Sequence, residues 1–261
     1  MENSSSIHKT ALIHPEAKIA ANVHVGAYSI IGKNVTIESD CIIGNNVTIT
    51  GNTSIGEQTK IYHSASVGED PQDKKYNGEE TKLIIGKRNL IREFCTINKG
   101  TAQDHGETRI GDDNWIMAYC HIAHDCVLGN QVILANNTTL GGHVEIDDYA
   151  ILGGATLVHQ FCKIGSHVMT AGGSGIQKDV PPFVITHGNF AAPVGINSEG
   201  LKRRGFSAEQ LSAIKKGYKI IYRQNNSIEE SLIELNKLAN ENDIVHLYIN
   251  FINRSKRGLI R

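Results

Sequence analysis

The sequence predicts an all-β solenoid plus α: a left-handed parallel β-helix of hexapeptide repeats, followed by a C-terminal α-helical domain. Three observations carry this expectation. An aliphatic residue recurs every six positions over the first two thirds of the chain, a small residue precedes each by two, and after about Pro181 the spacing turns helical.

Stepping by six from Ile7 gives Ile13, Ile19, Val25, Ile31, Ile37, Ile43, Ile49, Ile55, Ile61 and Val67. The frame resumes at Ile85, Ile91 and Ile97. It restarts at Ile110 and runs unbroken to Ile176. Twenty-five of these 26 anchors are Ile, Leu or Val, against 63 such residues in 261, so composition alone does not produce the pattern. Two positions before each anchor stands Ala, Ser, Thr, Cys or Val, with Leu83, Asn89 and Asn114 as the exceptions. Strand side chains alternate faces, so each hexad reads as a short strand with one large and one small inward residue, then a turn. Gly often follows the anchor (Gly26, Gly32, Gly44, Gly56, Gly68, Gly86), as expected of a turn with restricted geometry. Three strands close an 18-residue coil, and the repeats stack into a prism roughly 40 Å long.

Two polar stretches interrupt the frame and are expected as loops at about 69–83 and 99–109. Long loops in compact folds are often functional. The solenoid is expected over 1–190 and the helical domain over 191–261. In the latter, Ser207 with Gln210 and Ser227 with Glu230 form capping-box patterns. Leu211, Ile214, Tyr218 and Ile221 share one helical face, as do Ile228, Leu232 and Leu235, and a third helix is expected from Asp243 to Asn253.

The 40% apolar content excludes wholesale disorder, and the net charge of −1 excludes a uniformly basic nucleic-acid binder. Residues 200–261 hold 12 basic and 6 acidic side chains, leaving the preceding part at −7, so an anionic partner is expected at the C-terminal part. No apolar run reaches the ~18 residues of a membrane span, and no signal-peptide pattern opens the chain. With five cysteines, this predicts a reduced, cytoplasmic setting. All five cysteines fall on small inward positions, so CHIAHDC is read as core rather than as a zinc site.

Residues 18 apart stack, which turns the sequence into a surface map. Ala123, Gly141 and His159 form one column; His124, Gly142 and Gln160 the next; Asp125, His143 and Phe161 the third. His121 lies several positions off. A His beside a carboxylate is a general base with a fixed tautomer, and the bare backbone of Gly142 offers an oxyanion donor. That set suits attack of a hydroxyl or an amine on an activated acyl group. Gly154 stacks under Gly172, with small neighbours, which reads either as tight turns or as a groove for an extended apolar ligand. A zinc site of His121, His143 and His159 is the other chemistry these residues allow, but it leaves GLKRRGFS and the basic helices without a role.

The segments IAHDC, GGHV, VHQFC, QKDVPP, PQDKKY, GLKRRGFS and RGLIR resemble the UDP-N-acetylglucosamine acyltransferase family, across essentially the whole chain. The resemblance implies a homotrimer with active sites between neighbouring prisms. It implies transfer of an (R)-3-hydroxyacyl chain from the phosphopantetheine thioester of acyl carrier protein to the sugar 3-OH of UDP-N-acetylglucosamine. That is the first step of lipid A biosynthesis, with no metal or other cofactor. By motif, His124 is the base, Asp125 orients it and Gly142 polarises the thioester carbonyl. His121, His143, His159 and Gln160 contact substrate. Gln72, Asp73 and Lys75 reach it from an adjacent subunit, and Asn197, Glu199, Arg203 and Arg204 match the nucleotide-binding stretch. Acyl carrier proteins are strongly acidic, which gives the basic tail a partner. Family members often carry His where GNFAAP has Phe190, at the closed end of the acyl tunnel; Gly172 at the groove implies a long chain. A related family acting on the sugar 2-amine usually carries an extra N-terminal domain, for which a repeat beginning at Ile7 leaves no room.

Overall fold

The computed structural model describes residues 5–261, so the first four residues of the expected 1–190 solenoid lie outside the described residues. Most hexads form a two-residue strand, and the strands stack into three sheets of eleven, nine and eight members. Ile7 lies beside Val25, Ile13 beside Ile31 and Ile19 beside Ile37, one full coil of 18 residues apart. The result is a left-handed parallel β-helix with a helical domain at its C-terminal end. The chain passes from the first sheet to the second, then the third, turning a corner between each.

The anchors fill the prism from Val25 to Ile176 and are essentially unexposed. All five cysteines are free and buried among them. Burial raises the thiols of Cys41 and Cys162 to about 11 and that of Cys126 to about 12, so none of these three is a nucleophile at neutral pH. The two inward asparagines form a ladder. Asn89 accepts from the Asn114 N–H (2.9 Å) and donates to the Gly111 carbonyl (2.8 Å), and Asn114 accepts from the Val132 N–H (2.7 Å). These bonds satisfy the Asn89 amide and the Asn114 oxygen, while Asn114 Nδ2 has no partner among the described residues.

Of the glycines after the anchors, Gly68 has the left-handed backbone expected, with φ of 86°, whereas the others named have a different origin. The left-handed turn conformation falls two residues later, on Asn22, Tyr28, Asp40 and Asn46, for example. Gly26 and Gly56 are glycine because of the next coil: a Cβ there would stand 2.6 and 2.5 Å from the backbone of Gly44 and Gly86. At these two positions close stacking, not φ, selects the residue.

At the lower end, Val184–His187 continues the first sheet and Ala192–Ile196 pairs with it antiparallel. Strand structure therefore extends past 190, because this hairpin covers the last parallel edge. The helices are α1 (Ser198–Arg203), α2 (Ala208–Tyr222), α3 (Ile228–Ala239) and α4 (His246–Arg254). The short α1 was not anticipated, and the expected Asp243–Asn253 helix begins with a 3-10 turn at Asp243–Val245. Both capping boxes form. Tyr218 and Ile260 plug the prism core from below. The buried Asp179 carboxylate staples the C-terminal segment, accepting from Lys163 N–H (2.8 Å), Ser255 hydroxyl (2.6 Å) and Lys256 N–H (3.1 Å).

His167 lies at the junction of prism and tail, stacked on Tyr149 at 4.9 Å and on Phe183 at 5.7 Å, with Arg204 Nη1 3.2 Å from Nδ1. Burial, then the Arg204 charge, lowers its pKa to about 4. The unfolded chain takes up this proton near the ordinary value of about 6.5, and the folded chain does so only lower, so folding stability falls as pH drops through that window. Melting temperature followed by circular dichroism should decline from pH 7 to pH 4, and His167→Gln should flatten that decline. An unchanged slope in the variant would assign the dependence to other groups.

Candidate active site

The corner between the second and third sheets carries the polar patch. The expected columns form there: His143 N–H donates to the His124 carbonyl (3.0 Å) and Phe161 N–H to the Gly142 carbonyl (2.9 Å). Asp125 and His143 both occupy the left-handed turn position, with φ of 58° and 61°. Asp and His tolerate this conformation better than most residues.

His124 Nδ1 lies 2.8 Å from Asp125 Oδ2. Asp125 is 2% exposed, and its carboxylate also accepts from the Thr101 N–H (2.9 Å) and hydroxyl (2.7 Å). Burial pushes this carboxyl up, but the bonds from His124 and Thr101 outweigh it and hold the group below the usual carboxylate range. Asp125 therefore stays ionised, and an ionised partner draws the proton of His124 to Nδ1 and leaves Nε2 a free base.

His143 stands edge-on to His124 at 5.1 Å, stacks on Phe161 at 4.3 Å, and holds Asp104 Oδ2 2.7 Å from its Nδ1. Thr101 and Asp104 both come from the loop between Asn98 and Glu107, and sequence reasoning missed them. The loop itself was legible, but a segment outside the hexad frame has no column assignment. His121, on the strand leading into the corner, meets Thr96 Oγ1 at 2.7 Å; burial and then the charge of His124 lower its pKa. His159 and Gln160 are exposed on the coil below.

Gly142 has no room for a side chain: a Cβ would stand 2.6 Å from His124 Cε1 and 2.8 Å from Nε2. Among the described residues its N–H has no hydrogen-bond partner, as the coil ladder passes over this turn position. Beside it opens a cavity of about 490 Å³ lined by Gly142, Leu157, His159, Gln160, Ile176 and Phe190.

The other expected residues lie elsewhere on the prism. Gln72, Asp73 and Lys75 sit on the first loop, which leaves from the same corner but is tied to Lys99 and Asn98 through Asp70. Gly154 and Gly172 stack at the corner between the first and second sheets, where a Cβ on Gly172 would meet only the Gly154 carbonyl, at 3.3 Å. Arg204 lies at the third corner, its guanidinium 5.1 Å from the Tyr149 ring. Asn197 is buried; it caps α1 through the Gly200 N–H (3.2 Å) and donates to the His167 carbonyl (3.2 Å). Glu199 and Arg203 are exposed on α1, with Glu199 paired to Lys202.

The zinc alternative needs His121, His143 and His159 together, and the structure does not gather them. The donor atoms that do converge, within 4.8 Å, belong to His124, Asp125 and His143. In that set both Nδ1 atoms and the Asp125 oxygens are already engaged in hydrogen bonds.

Known proteins resemble this chain over nearly all of its length. The family described as "Udp N-acetylglucosamine O-acyltransferase; Domain 2" matches residues 179–260, and bacterial transferase hexapeptide repeats match 4–39 and 107–142. The acyl-[acyl-carrier-protein]–UDP-N-acetylglucosamine O-acyltransferase of Herminiimonas arsenicoxydans is 58% identical, covering 98% of this chain and all of its own. The chain belongs to the UDP-N-acetylglucosamine O-acyltransferase family. The like-named protein of Thiobacillus denitrificans is also 58% identical, with the same coverage. The solved UDP-N-acetylglucosamine O-acyltransferase of Moraxella catarrhalis superposes with a TM-score of 0.96 at 45% identity, covering 98% of this chain and 99% of that one. As a member of this family the chain is an acyltransferase. Among the described residues no helix is long and apolar enough to cross a membrane.

Gly142→Ala should keep the fold and lose turnover. The added methyl displaces the His124 ring rather than the coil, and a base misplaced by about 1 Å can cost about 10²-fold in rate. Steady-state kinetics with a melting curve check this; a fully active Ala variant would show that the ring is free to move.

Proposed function

We propose that this chain transfers an (R)-3-hydroxyacyl group from the phosphopantetheine thioester of acyl carrier protein to the 3-OH of the sugar in UDP-N-acetylglucosamine, the first step of lipid A biosynthesis. The names of its full-length relatives support the substrates. The His124–Asp125 dyad facing the bare Gly142 turn is the observation that carries the chemistry.

In this reading His124 Nε2 takes the proton of the sugar hydroxyl as its oxygen attacks the thioester carbonyl. Asp125 keeps Nδ1–H oriented and balances the imidazolium that forms. The Gly142 N–H receives the oxyanion. Collapse of the tetrahedral adduct breaks the C–S bond, and the proton on His124 passes to the leaving sulfur, so the base is restored with each turnover. His121, His143, His159 and Gln160 surround the acceptor. No step calls for a metal or a further cofactor.

The active unit is a homotrimer. On the outer face of the first sheet, Leu90, Trp115, Ile133, Ile151 and Met169 succeed one another coil by coil, with Trp115 43% and Met169 39% exposed. Such an apolar stripe calls for a partner surface. The expected substrate residues also lie at three different corners, so neighbouring prisms would bring Gln72, Asp73 and Lys75, the Gly154–Gly172 groove and Asn197, Glu199, Arg203 and Arg204 toward one cleft. The basic tail offers acidic acyl carrier protein a docking charge in the cytoplasm.

His124→Ala should reduce turnover by about 10²–10⁴-fold, the usual worth of a general base, with oligomeric state and melting temperature retained. The assay uses 3-hydroxyacyl carrier-protein thioesters and UDP-N-acetylglucosamine, with products identified by mass. Near-normal activity of the folded variant would overturn the assignment.

Acyl length is set where the cavity ends. The Phe190 ring lines the cavity and is 69% exposed, so Phe190→Ala should favour longer chains. Gly172→Met should favour shorter ones, because overpacking a fitted groove commonly costs about 1–3 kcal/mol. Competition assays with mixed chain lengths check both. A shift with Phe190→Ala alone places the stop at residue 190 and removes the Gly172 corner from the groove.

A further inference from the structure

We propose that Asp104, on the loop between Asn98 and Glu107, is a positioning residue that fixes the ring orientation and tautomer of His143. Two aromatic rings pack against that of His143. Phe161 stacks beneath it at 4.3 Å and His124 meets it edge-on at 5.1 Å. Neither contact distinguishes the ring from the same ring rotated by half a turn, because stacking senses the face and not which edge carries nitrogen. The terminal torsion of histidine is broad and nearly twofold, so packing alone leaves two orientations open.

Only hydrogen bonding separates them. His143 Nδ1 lies 2.7 Å from Asp104 Oδ2, whereas Nε2 is 3.8 Å from Asp125 Oδ2, beyond hydrogen-bond reach. Among the described residues Asp104 is thus the one hydrogen-bond partner of this side chain. A carboxylate acceptor places the proton on Nδ1 and turns the Nε2 edge toward the dyad. The other Asp104 oxygen stands 3.3 Å from Nε2 of His105, whose side chain is 74% exposed. The same loop supplies Thr101 to Asp125. One segment therefore holds both histidines, His124 through Asp125 and His143 directly.

The kinetic consequence rests on the acyl-transfer reading; the orientation of His143 does not. Two measurements keep them apart. In full-length protein labelled with ¹⁵N-histidine, the His143 resonances, assigned by His143→Gln, should report one dominant Nδ1–H form. Asp104→Ala should convert it to a mixture, and Asp104→Asn, whose amide oxygen still accepts, should restore it. In the acyltransfer assay Asp104→Ala should lower kcat/KM roughly ten- to a hundredfold, as expected of a misoriented group, with the melting temperature unchanged. Within a His143→Ala background the same substitution should cost less than about twofold, since the group it acts on is gone. His105→Ala should leave activity unaltered. An unaltered His143 spectrum in Asp104→Ala overturns the proposal, as does an equal kinetic loss in both backgrounds, which would make Asp104 a loop brace. Wild-type protein that transfers no acyl group would overturn the function while the spectra still decide Asp104.

Discussion

Every coil must bring the chain back to the same phase after 18 residues while filling a triangle with one large and one small side chain per edge. This closure constraint governs the molecule. It puts backbone N–H and C=O groups in register along the prism axis, as in Thr48 to Ser66 and His121 to Thr139. It also forces aliphatic residues to stack on their own kind, and each fully buried one is worth about 1.5–3 kcal/mol relative to exposure. The edges of the triangle have no slack. Insertions are accommodated only at corners, and both long loops leave from the corner that also bears His124, on successive coils.

That placement ties stability to chemistry. A carboxylate as buried as Asp125 is costly unless its oxygens are hydrogen-bonded. The coil supplies one donor, the His124 ring beside it, and the second loop supplies the others from Thr101. The donors that make the burial tolerable also keep the carboxylate charged, and a charged Asp125 is what leaves His124 with a free Nε2. The loop thus adds two of the three donors that hold Asp125 below the usual carboxylate range.

The fold was legible because its constraint is periodic. A rule that repeats at Ile7, Ile13 and onward to Ile176 is over-determined, and stacking by 18 then placed His124, Gly142 and Gln160 in one column before any coordinates were needed. Legibility failed where periodicity stopped. Thr101 and Asp104 lie in an insertion whose path depends on tertiary contacts. The hairpin through Ala192–Ile196 exists to cover an edge, a need that no local pattern announces, and α1 is one turn and a half held by the Asn197 cap. The glycines after the anchors were visible but, Gly68 apart, misattributed: a sequence shows that a side chain is missing, and whether φ or a neighbouring backbone removed it is a matter of packing.

The same stacking explains why the parts of the site coincide. In a solenoid the space in front of any corner residue is occupied by the residue one coil further on, so His124 can face an open cavity only if position 142 lacks a side chain. Glycine there clears the 2.6 Å approach to the imidazole. It also bares an N–H that the coil ladder leaves unpaired, since the turn position between the ladder bonds of Gly141 and His143 has no acceptor above it. One deletion of a Cβ thus clears the His124 ring, leaves a cavity beside the turn and bares a backbone N–H, which in the proposed mechanism serve as base, substrate space and oxyanion donor. Asp125 and His143 gain their directions from the left-handed turn conformation that most corners adopt in any case. The site required no departure from the repeat beyond the choice of side chains at consecutive corner positions and one loop to fasten them.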